Sequence, residues 1–108
     1  MSSSDISKTY FAVIFTSQRT TIAQNDYEKA AERMLQLAKE QDGFLGVESV
    51  RGSDGFGITI SYWDSEENIR KWKSNEEHLC MQQRGRSEWY ESFTTRICRV
   101  SREYKFEM

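Results

Sequence analysis

Apolar and polar positions alternate along four segments of this chain and recur at helical spacing along two others. Residues 9–18 predict the first strand, because they are rich in β-branched and aromatic side chains. Both alternations of this segment are apolar, with Tyr10, Ala12 and Ile14 on one side and Phe11, Val13 and Phe15 on the other. Both faces of the predicted strand must therefore be covered.

The first helix is predicted over residues 25–41, where apolar side chains follow a period of three to four residues. Asn25 and Glu28 have the spacing of a capping box at its start. Two strands are then predicted over residues 44–52 and 56–63, joined by a tight turn with the sequence Ser-Asp-Gly. One face of the second strand is apolar, whereas the other is small and polar and ends in a tryptophan.

The stretch from residue 62 to residue 93 concentrates the chemistry of the chain. It contains all three tryptophans, the only histidine and one of the two cysteines. Asp64 and Glu67 predict the start of a helix. A second start signal, at Ser74 and Glu77, predicts that this helix breaks and then resumes. Beyond the break, one helical face has a composition typical of a pocket wall rather than an aliphatic core: His78, Leu79, Gln82, Arg86, Trp89 and Tyr90. Trp89 and Tyr90 directly precede the last strand, however, where the anchoring of a loop or a dimer contact is the favoured role.

The order of the predicted elements indicates the fold. Residues 94–106 predict a final strand, which completes the order strand, helix, strand, strand, helix, strand. This order is typical of a ferredoxin-like α+β fold, in which two helices cover one face of a four-stranded antiparallel sheet. We expect a second copy to cover the other face, giving a homodimer whose sheets form a dimeric α+β barrel. A single domain is expected over residues 9–108, after a disordered N-terminus of residues 1–8.

Composition and charge exclude several classes of partner. The 108-residue chain has a net charge of −2, so it lacks the basic excess that nucleic acid requires. Its apolar runs are too short to cross a membrane, and its polar N-terminus has no signal-peptide core, so we expect a cytoplasmic protein. Cys80 and Cys98 lack metal-ligand spacing, and one histidine cannot build a histidine-based metal site. We therefore expect reduced cysteines and no metal.

A set of short motifs gives the chain a resemblance to a known family. The set comprises Gly43-Phe44-Leu45-Gly46, Tyr62-Trp63, Trp72-Lys73, Glu77-His78, Gln82, Gly85-Arg86, Trp89-Tyr90 and Arg96. In this order and spacing, over residues 10–104, they resemble the antibiotic biosynthesis monooxygenase family of dimeric α+β barrels. The resemblance implies oxygenation of a small aromatic substrate by dioxygen, with no metal, flavin or other cofactor.

Two branches of that family use different residues. In the branch that acts on aromatic polyketides, Trp63 matches a working tryptophan at the strand end, whereas Thr59 stands in place of an asparagine. In the haem-degrading branch, Trp72 matches a helix tryptophan, but Gln82 stands in place of a histidine. His78 lies one helical turn before that position. In this respect the chain resembles a third, uncharacterised branch most closely.

Two side chains are candidates for catalysis, and each also has a structural interpretation. His78 is either a general base that takes a phenolic proton or a histidine that only makes structural hydrogen bonds. Its place at a helix start favours the neutral imidazole, whereas the neighbouring glutamates favour the charged form. Arg86 either stabilises the oxyanion of a ligand or pairs with a glutamate.

Four further residues are candidates for substrate binding. Trp63 and Trp72 either stack on a planar ligand or fill the core. Gln82 and Thr59 would line the same pocket, which we expect between the sheet and the helical stretch of residues 65–90. This expectation requires the small, polar face of the strand at residues 56–63 to turn toward the helices.

Two functional classes remain open from the sequence. As an enzyme, the chain would be a cofactor-independent monooxygenase that oxidises a small phenol- or quinol-type substrate with dioxygen. As a non-catalytic module, it would be a dimeric barrel that binds a small planar ligand without converting it. A third alternative is a haem-binding or haem-degrading protein. The architecture alone does not choose among these alternatives, since one fold hosts many functions.

Overall fold

The computed structural model describes residues 9–108 except for the side chain of Glu76, so the predicted disordered N-terminus of residues 1–8 lies outside the described residues. The elements follow one another as β1 (Tyr10–Arg19), α1 (Gln24–Lys39), β2 (Phe44–Arg51), β3 (Phe56–Trp63), α2 (Glu66–Lys73), α3 (Glu76–Arg84), a π-helical turn (Gly85–Trp89) and β4 (Tyr90–Val100). The predicted ferredoxin-like α+β fold is confirmed. The second predicted helix is divided into α2, α3 and the π-helical turn.

The four strands form one antiparallel sheet in the order β2-β3-β1-β4. β1 lies between β3 and β4, with Phe11 opposite Trp63 on one side and Arg99 on the other. A strand between two others has no free edge. β3 is also central but is apolar on one face only, so the second apolar face of β1 does not follow from its central position.

The helices pack on one face of the sheet, which we call the helix face. It carries the alternation of β3 that contains Thr59, Ser61 and Trp63, because Trp63 stacks on Trp72 of α2. Thr59 and Ser61 thus turn toward the helices, as the predicted pocket requires. The opposite face, called the open face, carries the alternation of β3 that includes Ile60. No helix in the described part of the chain packs on it, and Val50 on this face is 71% exposed.

The N-terminal caps of the helices differ from those predicted. Ser65, not Asp64, caps α2, and its Oγ accepts a hydrogen bond from the Asn68 backbone N–H at 3.1 Å. The Asp64 carboxylate instead accepts a hydrogen bond of 2.8 Å from the Asn68 side-chain amide. The capping box predicted at Asn25 is also wrong, because α1 begins one residue earlier, after Ala23 at a positive φ of 53°.

The predicted break in the second helical stretch is confirmed, although its cap is the next residue along. Asn75, not Ser74, caps α3 with its Oδ1, which accepts from the backbone N–H groups of Glu77 and His78 at 3.0 and 3.2 Å. Two separate caps within ten residues explain why α2 and α3 are distinct helices. The first turn of α3, which contains the only histidine, is held by this cap.

The last strand starts and ends earlier than predicted. The π-helical turn delivers the chain directly into β4 at Tyr90, and pairing with β1 ends where Val100 lies opposite Tyr10. The remaining residues form an extended segment after β4. Its large side chains are exposed, with Tyr104 at 85% and Phe106 at 86%. The prediction of a strand to residue 106 is therefore wrong at its C-terminal half.

Candidate active site

Three aromatic rings stack at the end of β3, and we call this group the Trp-His stack. Trp63, the last residue of β3, is fully buried. Its ring centroid lies 6.0 Å from that of Trp72, with 28° between the planes. The imidazole of His78 lies on Trp72, at 4.3 Å between centroids and 17° between planes. The stack therefore runs from the core of the protein to a half-buried imidazole.

Each ring of the Trp-His stack is positioned by its own element. The Trp63 indole N–H donates to Ser61 Oγ at 2.9 Å, and Phe44 packs edge-on against its ring at 5.5 Å. Trp72 lies in the last turn of α2, which Ile69 anchors in the core at 4% exposure. His78 follows in the first turn of α3. The short break between α2 and α3 thus brings the imidazole back over the tryptophan.

The hydrogen bond of His78 settles which ring nitrogen carries the proton. Nδ1 lies 3.0 Å from the backbone carbonyl oxygen of Trp72. A carbonyl oxygen only accepts hydrogen bonds, so Nδ1 must be the protonated nitrogen in the neutral ring. Nε2 then carries the lone pair, and it has no hydrogen-bond partner among the described residues. The geometry leaves a basic nitrogen available to a ligand.

Burial lowers the pKa of His78 below its ordinary value, and the nearby Lys73 charge lowers it further. The hydrogen bond to the Trp72 carbonyl acts in the opposite direction and is the weaker influence. The carboxylate of Glu77, which the sequence suggested as a stabiliser of the charged imidazole, pairs instead with Arg33 at 2.6 Å. At neutral pH the imidazole is therefore uncharged and able to act as a base.

The remaining predicted site residues are not hydrogen-bonded to the Trp-His stack in the described structure. Gln82 lies one turn after His78 on α3 and is half-buried. Arg86 is exposed on the π-helical turn, with its guanidinium carbon 5.9 Å from the Phe93 ring centroid. Thr59 shares a hydrogen bond of 2.7 Å with the Ser49 hydroxyl on the sheet floor. The structure thus brings three of the six predicted residues together in one stack: Trp63, Trp72 and His78.

Trp89 and Tyr90 leave the helical face that begins at His78. The hydrogen bonds of a π-helical turn join residues five apart rather than four, so this face is rotated beyond Arg84. Trp89 packs instead against Tyr27 of α1, with ring centroids 5.8 Å apart. The predicted continuous pocket wall from His78 to Tyr90 is therefore wrong. Arg84, rather than Arg86, makes the glutamate pair, with Glu88 at 3.1 Å.

The residues around Trp89 form a second group, the arginine-aromatic cluster, comprising Arg19, Tyr27, Arg51, Trp89 and Tyr90. Arg19 is only 6% exposed and lies 3.9 Å from the Tyr27 ring centroid, and it donates to the Trp89 carbonyl. Burial, followed by the neighbouring Tyr27 hydroxyl, raises the pKa of Tyr90. Sequence reasoning assigned Arg19 to a polar loop. Its position directly after a buried strand was the only signal of its role.

Two surface cavities lie away from the Trp-His stack. One, of about 300 Å³, lies between α1 and α3 and is lined by Asp26, Lys29, Ala30, Arg33, Met81 and Arg84. The other, of about 240 Å³, lies beside the open face and is lined by Glu48, Ser49, Val50, Ile58 and Ile60. Within residues 9–108, no three His, Cys, Asp or Glu side chains are grouped to hold a metal ion. No helix over the same residues has the length and apolar character to cross a membrane.

Comparison with known proteins places this geometry in a family. Over 100 residues, which cover 91% of this chain and 85% of its relative, the sequence is 50% identical to the uncharacterised protein YqjZ of Bacillus subtilis. The fold is similar to that of SnoaB, a cofactor-independent oxygenase from Streptomyces nogalater, with a TM-score of 0.67 and 14% identity over 94% of this chain and all of that one. It is also similar to a conserved protein from Methanosarcina mazei, with a TM-score of 0.72 and 10% identity over 91% of this chain and 97% of that one. A model of the antibiotic biosynthesis monooxygenase family matches residues 11–84, more than half of the sequence, and the chain belongs to this family.

Proposed function

We propose that this protein is a cofactor-independent monooxygenase that oxidises a small phenol- or quinol-type aromatic substrate with dioxygen. The observation that carries the proposal is the state of His78. Its Nδ1 proton is committed to the Trp72 carbonyl, and its Nε2 has no partner among the described residues. An imidazole in this state is prepared to accept a proton. Family membership and the likeness to SnoaB, described as a cofactor-independent oxygenase, support an oxygenase.

The proposed reaction begins when His78 Nε2 takes the hydroxyl proton of the substrate. The resulting phenolate supplies the electrons that reduce dioxygen. One oxygen atom is added at the ring carbon ortho or para to the phenolate oxygen, in place of the hydrogen of that carbon. The other oxygen atom leaves as water with this hydrogen and the hydroxyl proton, so the product is a quinone. Substrate and dioxygen alone therefore balance the reaction, and the proton on His78 returns to the departing oxygen.

Two contacts of His78 offset part of the cost of burying the imidazolium that this proton transfer creates. The Trp72 carbonyl accepts from Nδ1–H in both protonation states and becomes a stronger partner when the ring is charged. The Trp72 indole, stacked at 4.3 Å, presents its π face to the same charge. Both contacts favour the charged state more than the neutral one, which is what a catalytic base requires.

The other predicted residues would act on the substrate rather than on the base. Gln82, one turn along α3, would donate to a substrate oxygen, and Arg86 would stabilise the phenolate from the π-helical turn. Arg86 forms no ion pair among the described residues, so its charge is available. Trp63, which is fully buried, would support Trp72 from beneath, and Thr59 would line the floor of the site.

The test is oxygen uptake by the purified protein with a panel of hydroquinones, anthrones and flavonols. Wild-type protein is expected to consume oxygen and form the oxidised product. His78→Ala is expected to lower the rate roughly 10²–10⁴-fold, because it removes the proton acceptor. Dimerisation and melting temperature are expected to change little, since the half-buried imidazole contributes one hydrogen bond.

A purely structural His78 would give the reverse result. Stability would then fall by about 1–3 kcal/mol while activity fell only in proportion to the folded fraction. Absence of oxygen uptake across the panel would favour the non-catalytic binding module. In that event, Trp72→Ala would be compared with wild type for the affinity of a planar aromatic ligand, with haem included as one of the ligands.

A further inference from the structure

The helix-face side chains of β4 are left uncovered. Residues directly opposite one another in antiparallel strands point to the same face, so the partners of the helix-face residues of β1 also point to the helices. Four residues of β4 meet this condition, and all four are exposed: Phe93, Thr95, Ile97 and Arg99. Ile97 is 49% exposed although its side chain is aliphatic. β4 therefore offers a partly apolar surface on the same side of the sheet as the Trp-His stack.

Strand pairing places one end of this surface beside the Trp-His stack. Trp63 of β3 lies opposite Phe11 of β1, and Phe11 lies opposite Arg99 of β4, so the three residues form one row across the helix face. Neighbouring strands are about 4.8 Å apart, so the backbone of Arg99 lies about 10 Å from that of Trp63. Ile97 follows in the next row, opposite Val13. An apolar side chain and a cation therefore lie at the same end of the sheet as the stack.

Arg99 has no acidic partner among the described side chains. None of the ion pairs formed by these side chains includes it. Lys73, which is also exposed and outside those pairs, is the one charged group among the described residues that shifts the pKa of His78, and it lowers this pKa. Positive charge therefore predominates beside the Trp-His stack, and it favours an anionic ligand.

Three features of the helix face match three parts of one small molecule. His78 Nε2 has no partner among the described residues and would accept a hydrogen bond from a hydroxyl group. Ile97 would contact an aromatic ring. Arg99 carries a planar guanidinium, whose paired N–H groups fit the two oxygens of a carboxylate. A ligand that contains a hydroxyl group, an aromatic ring and a carboxylate would use all three features.

We propose that the substrate of this protein is a hydroxylated aromatic carboxylate, and that Arg99 binds its carboxylate while His78 takes the proton of its hydroxyl group. The inference rests on the proposed function for the role of His78. It adds a residue of β4 that determines specificity, and it narrows the substrate to one that already carries a negative charge. The carboxylate takes no part in the oxidation, so the balance of the proposed reaction is unchanged.

Binding is measured first, by calorimetry without oxygen, so that no turnover is needed. The ligands are a hydroxynaphthoate, with its hydroxyl and carboxylate groups on different rings, and its methyl ester, which has a similar shape without the charge. Wild-type protein is expected to bind the hydroxynaphthoate about tenfold more tightly than the ester, because only the carboxylate forms charge-assisted hydrogen bonds with a guanidinium.

Three variants locate this preference. Arg99→Gln should weaken binding of the hydroxynaphthoate about tenfold and leave binding of the ester unchanged. Arg99→Lys keeps the charge without the paired donors and should retain part of the preference. Arg96→Gln is the matched control, because Arg96 is an exposed arginine of the same strand that points to the open face, and it should change neither dissociation constant. Circular dichroism confirms that each variant is folded.

Oxygen uptake with the same two compounds separates this inference from the proposed function. Arg99→Gln should raise the KM for the hydroxynaphthoate about tenfold and change kcat little, since the carboxylate is bound equally in the ground state and the transition state. A wild type that oxidises both compounds with equal KM would overturn the inference and leave the proposed oxidation standing. A preference in binding that depends on Arg99, without oxygen uptake, would overturn the oxidation and leave the carboxylate site standing. Equal binding of the two ligands, no binding of either, or a preference that survives Arg99→Gln would each overturn the inference.

Discussion

The Trp-His stack and the arginine-aromatic cluster are both built on a tryptophan at the end of a structural element, yet they finish in opposite ways. In the stack, the aromatic rings lead outward to His78, whose Nε2 has no partner among the described residues. In the cluster, the rings surround the buried cation Arg19, whose charge is always present. A site that ends in a titratable base with a free lone pair can take part in proton transfer. A site that ends in a permanently charged donor cannot.

The contacts of Arg19 indicate what the arginine-aromatic cluster does instead. Its guanidinium donates to the Trp89 carbonyl and, at 2.7 Å, to Gln24 Oε1. It therefore joins the end of β1, the start of α1 and the end of the π-helical turn. The first two segments are neighbours in the sequence, whereas the π-helical turn is distant from both. The cluster fixes the chain at the entrance to β4, whereas the Trp-His stack leaves one atom uncommitted.

Of the effects expected to distinguish the two groups, the largest is the loss of folding stability in Trp89→Ala. Trp89 is 3% exposed, and truncation of a buried tryptophan is expected to destabilise the fold by about 3–5 kcal/mol. Chemical denaturation measures this loss. Activity per folded molecule should stay at the wild-type level, in contrast to the loss expected for His78→Ala.

Trp89→Phe is the companion variant if the alanine variant does not fold. The Trp89 indole N–H is buried without a partner in the described structure, so phenylalanine removes no hydrogen bond. It should therefore cost much less stability than alanine. A large drop in turnover with little change in stability, for either variant, would contradict the division of roles between the two groups.

The pH dependence of activity gives a second, smaller contrast. Because burial lowers the pKa of His78, kcat/KM should be constant around neutral pH. It should fall about tenfold per pH unit only below the lowered pKa, where the imidazole becomes protonated. Stopped-flow or oxygen-electrode measurements between pH 4 and 8 check this expectation (roughly the range in which histidine titrates). An acid limb centred above the ordinary histidine pKa would contradict a neutral, buried base.

The same pKa shift predicts a change in stability with a defined sign. In the unfolded chain His78 binds its proton at a higher pH than in the folded protein. The contribution of His78 to stability is therefore complete above the ordinary pKa and declines as the pH falls from there through the folded pKa. His78→Gln should remove this component of the pH-stability curve. Trp89→Phe should retain it, since the arginine-aromatic cluster does not include a histidine.

The order of elements was predictable from the sequence because each strand and helix carries its own local pattern. The strand of Phe56–Trp63 was predicted at its observed bounds, and the break between α2 and α3 was anticipated from two adjacent cap signals. The choice among neighbouring cap residues was not predictable. It depends on which side-chain oxygen reaches the free N–H groups of the first helical turn, and the Asp64 carboxylate binds the Asn68 side-chain amide instead.

The candidate site was predictable in part for a related reason. Trp63, Trp72 and His78 meet because strand, cap and helix follow one another within sixteen residues, so local signals suffice. The pocket wall predicted from His78 to Tyr90 is interrupted because no sequence pattern marks a π-helical turn, which changes the helical phase. The turn is stabilised by contacts with Arg19 and Tyr27, which are distant in the sequence. Only the tertiary structure brings those residues together.

The smallest expected effect separates two helix caps that are chemically alike. Asn75→Ala and Ser65→Ala each remove one N-cap, and each should lower stability by about 1 kcal/mol. Asn75 Oδ1 accepts from the His78 N–H, so its loss should loosen the first turn of α3 and lower turnover several-fold. Ser65 caps α2 at the end opposite Trp72 and does not bond to α3, so its loss should leave turnover unchanged. Denaturation and oxygen uptake, measured on both variants, would contradict a positioning role for the α3 cap if the two variants lost equal activity.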